Sequence, residues 1–155
     1  MNDISPIPNN EPRLSPYLCV ADAAAAIEFY TAVLGATERV RMPGPGGKLG
    51  HAELDLGDSV LMLSDEFPEV GALSPASVGG SPVTISLYVE DVDATYDRAL
   101  AAGATAVRPV ADQFYGDRSG QFTDPFGHRW SIASRIEEVP PQEVAARMAA
   151  MGDGG

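Results

Sequence analysis

The chain has 155 residues and a mass of 16.2 kDa, enough for one domain with a hydrophobic core of its own. Its 45% apolar and 21% charged residues read as globular, and no apolar run reaches the ~18 residues a membrane-spanning helix needs. A net charge of -12 repels phosphate backbones and anionic lipid, so neither nucleic acid nor a membrane is an expected partner, and solubility is the plainer reading of the acidity.

Residues 1–13 are polar and proline-rich and read as a flexible segment. They carry neither a basic n-region nor an apolar h-region, so no secretory signal is expected. Together with a single cysteine, Cys19, this points to a cytoplasmic setting without disulfides. The first alternating stretch, Leu18-Cys19-Val20-Ala21-Asp22, reads as a strand ending in an aspartate that caps a helix. From it Ala23, Ala26, Ile27, Tyr30, Val33 and Leu34 form one apolar stripe, and Gly35 closes the helix. The glycines at 44, 46, 47 and 50, with Pro45 and Lys48, mark a loop. Strands then follow over about 50–56 and 59–64, joined by Gly57-Asp58, a hairpin signal. Residues 65–82 are rich in Ser, Pro and Gly and read as a linker.

The pattern then repeats. Leu87-Tyr88-Val89-Glu90-Asp91 matches the first strand, Val92, Tyr96, Ala99 and Leu100 form the second helical stripe, and Gly103 closes it. The offset is 69 residues between Asp22 and Asp91 and 68 between Gly35 and Gly103, which predicts two copies of one supersecondary unit. Further strands are expected at about 105–109, 119–123 and 129–134, the last two joined by Asp124-Pro125-Phe126-Gly127. Pro140-Pro141 ends the strand region, residues 143–151 fit a short amphipathic helix, and the closing Gly-Asp-Gly-Gly is expected to fray.

Three stretches, PYLCVADAAAAIEFYTAVLGA, GHAELDLGDSVLMLSD and YGDRSGQFTDPFGHRWSIA, together resemble the glyoxalase/bleomycin-resistance branch of the vicinal oxygen chelate superfamily. The resemblance covers about residues 14–136. It implies an α+β domain of two tandem βαβββ modules, about 14–64 and 83–136, whose curved, mostly antiparallel sheet encloses a cleft, followed by a C-terminal helix and tail over 137–155. It further implies a homodimer. Members include metal-dependent enzymes such as glyoxalase I and extradiol dioxygenases, and metal-free proteins that sequester drugs, so the site must decide between them.

In the metal-using members, the resemblance puts ligands at four positions, which here fall on Ser15, Thr84, Ser131 and Met62 (or Leu61, if the strand alignment slips by one). Hydroxyls and a thioether do not replace imidazole and carboxylate around a divalent transition ion, so no metal or other cofactor is expected. His51 and Glu53 stand two apart on a strand and share a face. That spacing serves a chelate, a general base with a polarising partner, or a solvated polar strand face continued by Asp55, and these stay open. His128 follows a tight turn, where an exposed polar residue needs no special reason. Tyr17 and Tyr88 share strand parity with Ser15 and Thr84, toward the cleft, while Phe114 and Tyr115 lie in a loop near its mouth. Trp130 has the opposite parity and belongs to the core. Cys19 has nothing basic within two residues and reads as an inert thiol.

There is no G-x-S-x-G elbow, phosphate loop with lysine, or dinucleotide fingerprint. The resulting expectation is a metal-free protein holding a small, largely planar organic molecule against Ser15, Tyr17, Met62, Thr84, Ser86, Tyr88, Phe114, Tyr115 and Ser131. The alternatives are a lyase, isomerase or transferase using His51 and Glu53 or a non-standard metal site, and a dimeric scaffold without a ligand.

Overall fold

The computed structural model describes residues 3–152 and divides into two units between Ser81 and Pro82. The first unit contains β1 (Tyr17–Val20), α1 (Ala23–Leu34), β2 (Thr37–Pro43), β3 (Leu49–Leu56) and β4 (Ser59–Asp65), then a short helix α2 (Pro75–Val78). Its sheet order is β1-β4-β3-β2, with β1 parallel to β4 and the other pairs antiparallel. The second unit repeats it as β5 (Thr84–Tyr88), α3 (Val92–Ala101), β6 (Thr105–Asp112), β7 (Asp117–Thr123) and β8 (Arg129–Arg135), in the order β5-β8-β7-β6. A C-terminal helix α4 (Pro141–Gly152) follows. The expected tandem βαβββ modules are therefore present as two mixed, mainly antiparallel four-stranded sheets.

Both helices start as the sequence dictates. Asp22 and Asp91 stand in extended conformation, and each accepts a bond from a first-turn amide, Ala25 N and Ala94 N, at 3.1 Å. Gly35 ends α1 in the left-handed conformation at φ 72°. The second helix differs at its end, where Ala102 is the C-cap and Gly103 follows at φ 104°.

One face of each sheet packs on its own helix. In the first module Val20, Tyr30, Leu54, Leu61 and Leu63 are buried, and in the second Tyr96, Ala99, Phe122, Trp130 and Ile132. Trp130 sits in the core as its parity demands, and its indole N–H donates to Asp124 Oδ2 at 2.9 Å. The other carboxylate oxygen of Asp124 accepts from the amides of Phe126 and His128, at 2.9 and 3.0 Å. One buried aspartate thus closes the Asp124–Gly127 turn and fixes the core tryptophan, which accounts for the DPFGHRW stretch.

Three sequence expectations need correction. Residues 65–82 are not simply a linker: β4 runs through Asp65, and Glu66 then accepts from Ser74 N at 2.7 Å and from Ser77 Oγ, tying down α2. Of the serines and prolines that made the stretch look unstructured, Pro68 opens a single helical turn and Ser74-Pro75 open α2. Leu100 belongs to the apolar stripe by spacing but is 36% exposed, because the buried face of α3 turns through Val92, Thr95, Tyr96 and Ala99. Phe29 is buried although the stripe of α1 omits it. Helix α4 forms as expected, starting two residues before Glu143, and Arg147 anchors it to Glu137 at 2.8 Å and to Phe114 O at 3.0 Å. Of the closing tail only Gly152 lies within the described residues.

Candidate functional site

The face of each sheet away from its helix carries the expected site residues. In the first module, strand alternation puts Tyr17, His51, Glu53 and Met62 on that face, and register holds them together: Tyr17 lies beside Met62, and Met62 beside Glu53. Tyr17 Oη is 2.8 Å from His51 Nδ1, and His51 Nε2 is 2.7 Å from Glu53 Oε2. Glu53 continues to Arg39 Nε at 3.5 Å, and Arg39 pairs with Glu11 at 2.6 Å. A carboxylate only accepts, so the imidazole must donate from Nε2; in the neutral ring Nδ1 is then the acceptor and Tyr17 the donor. Of the three openings His51 and Glu53 left, the structure makes them the inner links of a hydrogen-bonded chain that ends on an exposed phenol (Tyr17 is 51% exposed).

In the second module Ser86, Tyr88, Tyr115 and Ser131 line a hollow of about 260 Å³, together with Leu87, Asp117, Ser119 and Ala133. Ser86 and Ser131 are register partners, as are Tyr88 and Ala133. Tyr88 donates to Asp117 Oδ2 at 2.8 Å, and this bond to a carboxylate is the main cause holding its phenol above the ordinary range. A second hollow of about 300 Å³ shares Tyr88, Tyr115 and Asp117 and extends to Arg135, Glu137, Glu138 and Val139.

The remaining expected residues are placed less centrally. Ser15 is half-buried just before β1, and Thr84 is exposed at the first position of β5, each two residues ahead of the position that pairs with β4 or β8 at the site. Phe114 packs edge-on against Tyr115 at 5.2 Å between centroids but is not among the residues lining either hollow. His128 sits in the Asp124 turn, where its amide is bonded. Cys19 Sγ lies 3.7 Å from Asp65 O, and burial is the first cause that pushes its thiol up, away from reactivity.

Residues that sequence reasoning missed are Arg39, Asp117 and Ser119. Arg39 lies on β2, a strand the sequence reading did not mark, beside a register shift between Glu38 and Val40. Asp117 opens β7 and was legible only as part of a loop; with β7 starting there, alternation puts Asp117 and Ser119 on one face.

The donor set does not suit a transition metal. Ser15, Met62, Thr84 and Ser131 offer no charge and little basicity, and among the described residues no group of three or more His, Cys, Asp or Glu is arranged to hold an ion. Among them, too, no helix is long and apolar enough to cross a membrane.

Comparison with known proteins extends this picture. The sequence model of the Glyoxalase/Bleomycin resistance protein/Dioxygenase superfamily matches residues 13–132. Uncharacterized protein Mb0911c of Mycobacterium bovis is 50% identical over 149 residues, covering 94% of this chain and 98% of its own. Putative glyoxylase CFP32 of the same organism is 30% identical over 113 residues, 71% of this chain but 40% of that protein. Among solved structures, PA1353 from Pseudomonas aeruginosa superimposes with a TM-score of 0.65 at 27% identity, over 82% of this chain and 100% of that one. TioX from Micromonospora sp. ML1 gives 0.62 at 28%, over 81% and 99%.

Proposed function

The chain belongs to the glyoxalase/bleomycin resistance protein/dioxygenase superfamily, and from that footing we propose that it binds a small, largely planar organic molecule without a transition metal, as a cytoplasmic homodimer. The observation that carries the reading is the second-module hollow. Two phenols, Tyr88 and Tyr115, stand beside it, 64% and 44% exposed, and the hydroxyls of Ser86, Ser119 and Ser131 line it. Rings of this kind contribute flat apolar area, about 0.5–1.5 kcal/mol per well-placed pair beyond area burial, while hydroxyls orient the guest. No imidazole is among the lining residues to turn a serine into a nucleophile, which favours holding over transforming. The dimer is supported by the outer strands β1, β2, β5 and β6 of the two four-stranded sheets, whose backbone edges are natural pairing surfaces.

A thermal-shift panel of planar aromatic compounds tests the reading. Binders should raise the melting temperature by mass action, and Tyr88→Ala should weaken that response. Silence across the panel favours the ligandless scaffold instead. Sedimentation at micromolar concentration showing one species near 16.2 kDa would overturn the dimer.

The Tyr17–His51–Glu53 chain favours a second reading, a metal-independent lyase or isomerase. As Tyr17 passes its proton to His51, the imidazolium is paired with Glu53, and the phenolate oxygen becomes a base. Turnover of a carbonyl substrate that falls about a hundredfold or more in both Tyr17→Phe and His51→Ala would establish it, in keeping with the usual worth of a positioned acid–base group.

A further inference from the structure

We infer that the second-module hollow selects aromatic ligands by their hydroxyl or amino hydrogen-bond donors and disfavours carboxylates. This names the ligand class for the binding reading above and rests on it.

The argument follows the phenolic proton. Tyr88 Oη lies 2.8 Å from Asp117 Oδ2, and a carboxylate accepts only, so the one proton of Tyr88 is committed to Asp117. What Oη turns to the hollow is lone pairs. The same bond makes the phenol harder to ionise, so Tyr88 meets a ligand as a neutral acceptor over the ordinary pH range. Asp117, which also lines the hollow, is acceptor-only as well. The serine hydroxyls rotate to give or take and do not discriminate. A ligand ether or carbonyl oxygen brought against Tyr88 therefore meets another acceptor, whereas an O–H or N–H completes the bond.

Charge points the same way. In the adjoining hollow each cation is already matched, Arg135 lying 3.8 Å from Glu138 while Glu137 is paired by Arg147 at 2.8 Å. Asp117 adds a further negative charge on the shared wall. An anionic ligand is repelled there unless it displaces Glu138 from Arg135. Size limits the class again, because about 260 Å³ is below the usual range of drug-sized pockets and suits one or two fused rings.

The first module reached the same polarity by different residues. There a histidine takes the proton of Tyr17 and Glu53 fixes the tautomer. Both exposed strand-end phenols spend their proton within the protein.

The test uses three two-ring probes, 2-naphthol, 2-methoxynaphthalene and 2-naphthoate, titrated calorimetrically against the full chain and against Tyr88→Phe and Asp117→Ala. Tyr88 is exposed, so the phenylalanine variant keeps its fold, which circular dichroism verifies. The naphthol-to-ether affinity ratio should be roughly three- to tenfold higher in the native chain than in Tyr88→Phe, the worth of one hydrogen bond. Comparing ratios removes the difference in hydrophobicity between the probes. In Asp117→Ala the phenol proton is released toward the hollow, so the ether and the naphthoate should both gain on naphthol. An unchanged ratio in Tyr88→Phe, or naphthoate as the tightest probe, overturns the inference while leaving planar-ligand binding intact. Failure of all three probes to bind overturns the binding reading and this inference with it.

Discussion

The two modules hold the same strands in the same order, yet equivalent positions carry different chemistry. Superposing the registers on Met62 and Ser131 sets Tyr17 against Ser86, His51 against Ser119, Glu53 against Gln121 and Asp65 against Ser134. The first module fills its outer face with a closed chain of charged and aromatic groups. The second keeps small hydroxyls there and retains a hollow. What repeats is what the backbone needs: the Asp22 and Asp91 caps, the positive-φ Gly35 and Gly103, and the parallel return of the last strand beside the first. What diverges is the face the backbone does not constrain. A duplicated frame conserves its capping and core parity while its outer faces are free to specialise, and function must be read from the face.

The largest predicted effect breaks the comparison at Asp65 and Ser134. Asp65 is buried and accepts from Ala23 N at 2.8 Å and Leu49 N at 2.6 Å, joining β4 to the start of α1 and of β3. Ser134 does half of this, accepting from Val92 N at 3.1 Å and donating to Val89 O at 2.7 Å. Asp65→Ala strands two amides, so we expect a loss of about 3 kcal/mol or more, against about 1 kcal/mol for Ser134→Ala. Urea unfolding measures both. Equal losses would show that the two modules are tied by something other than these bonds.

A smaller effect concerns packing. Gly120 stands where the first module has Ala52, and Tyr96 where it has Ile27. A Cβ on Gly120 would lie 2.8 Å from Val110 Cγ2 and 3.1 Å from the Tyr96 ring. The larger helix residue in the second module is matched by the missing methyl on its strand. Gly120→Ala should therefore cost about 1–3 kcal/mol by overpacking, although alanine is the better strand residue. Ala52→Gly should cost less, about 0.5–1 kcal/mol. A stabilising Gly120→Ala would sink the size-matching argument.

The frame of this comparison was legible in the sequence because it is written in short-range signals. Asp22 and Asp91, the glycines that follow each helix, and the alternation of Ala52 and Leu54 with His51 and Glu53 all act within a few residues. The site was legible in part. Parity put Tyr17, His51, Glu53, Ser86, Tyr88 and Ser131 on the outer faces, but parity does not carry distances, so the bonds from Tyr17 to His51 and from Tyr88 to Asp117 emerge only from strand pairing across 34 and 29 residues. Arg39 was hidden because β2 has no buried apolar alternation to mark it as a strand, and the α2 segment by a composition shared with linkers. In each case a non-local contact decides what local pattern leaves open.

The smallest predicted effect separates the modules by acid. Glu66 and Arg135 are equivalent, each one residue past the Asp65–Ser134 pair. Arg135 is exposed and makes only a loose pair with Glu138, at 3.8 Å. Glu66 accepts from Ser74 N and from Ser77 Oγ, and its contacts with these two serines hold its carboxyl down to about 2. A depressed acid favours the folded state above its unfolded pKa and loses that advantage as pH falls toward the folded one. The contribution of Glu66 should thus be whole above the ordinary value of 4.5, shrink below it, and be gone near 2. Because the group is only half-buried, solvent screens it and its size is close to that of a surface interaction. In Glu66→Gln this slice of the acid dependence should vanish, and protection of the Ser74 amide against hydrogen exchange, high in the native chain at pH 6, should fall in the variant. Native-like protection of Ser74 in Glu66→Gln would mean that α2 is held by its prolines alone and that the acid response arises elsewhere.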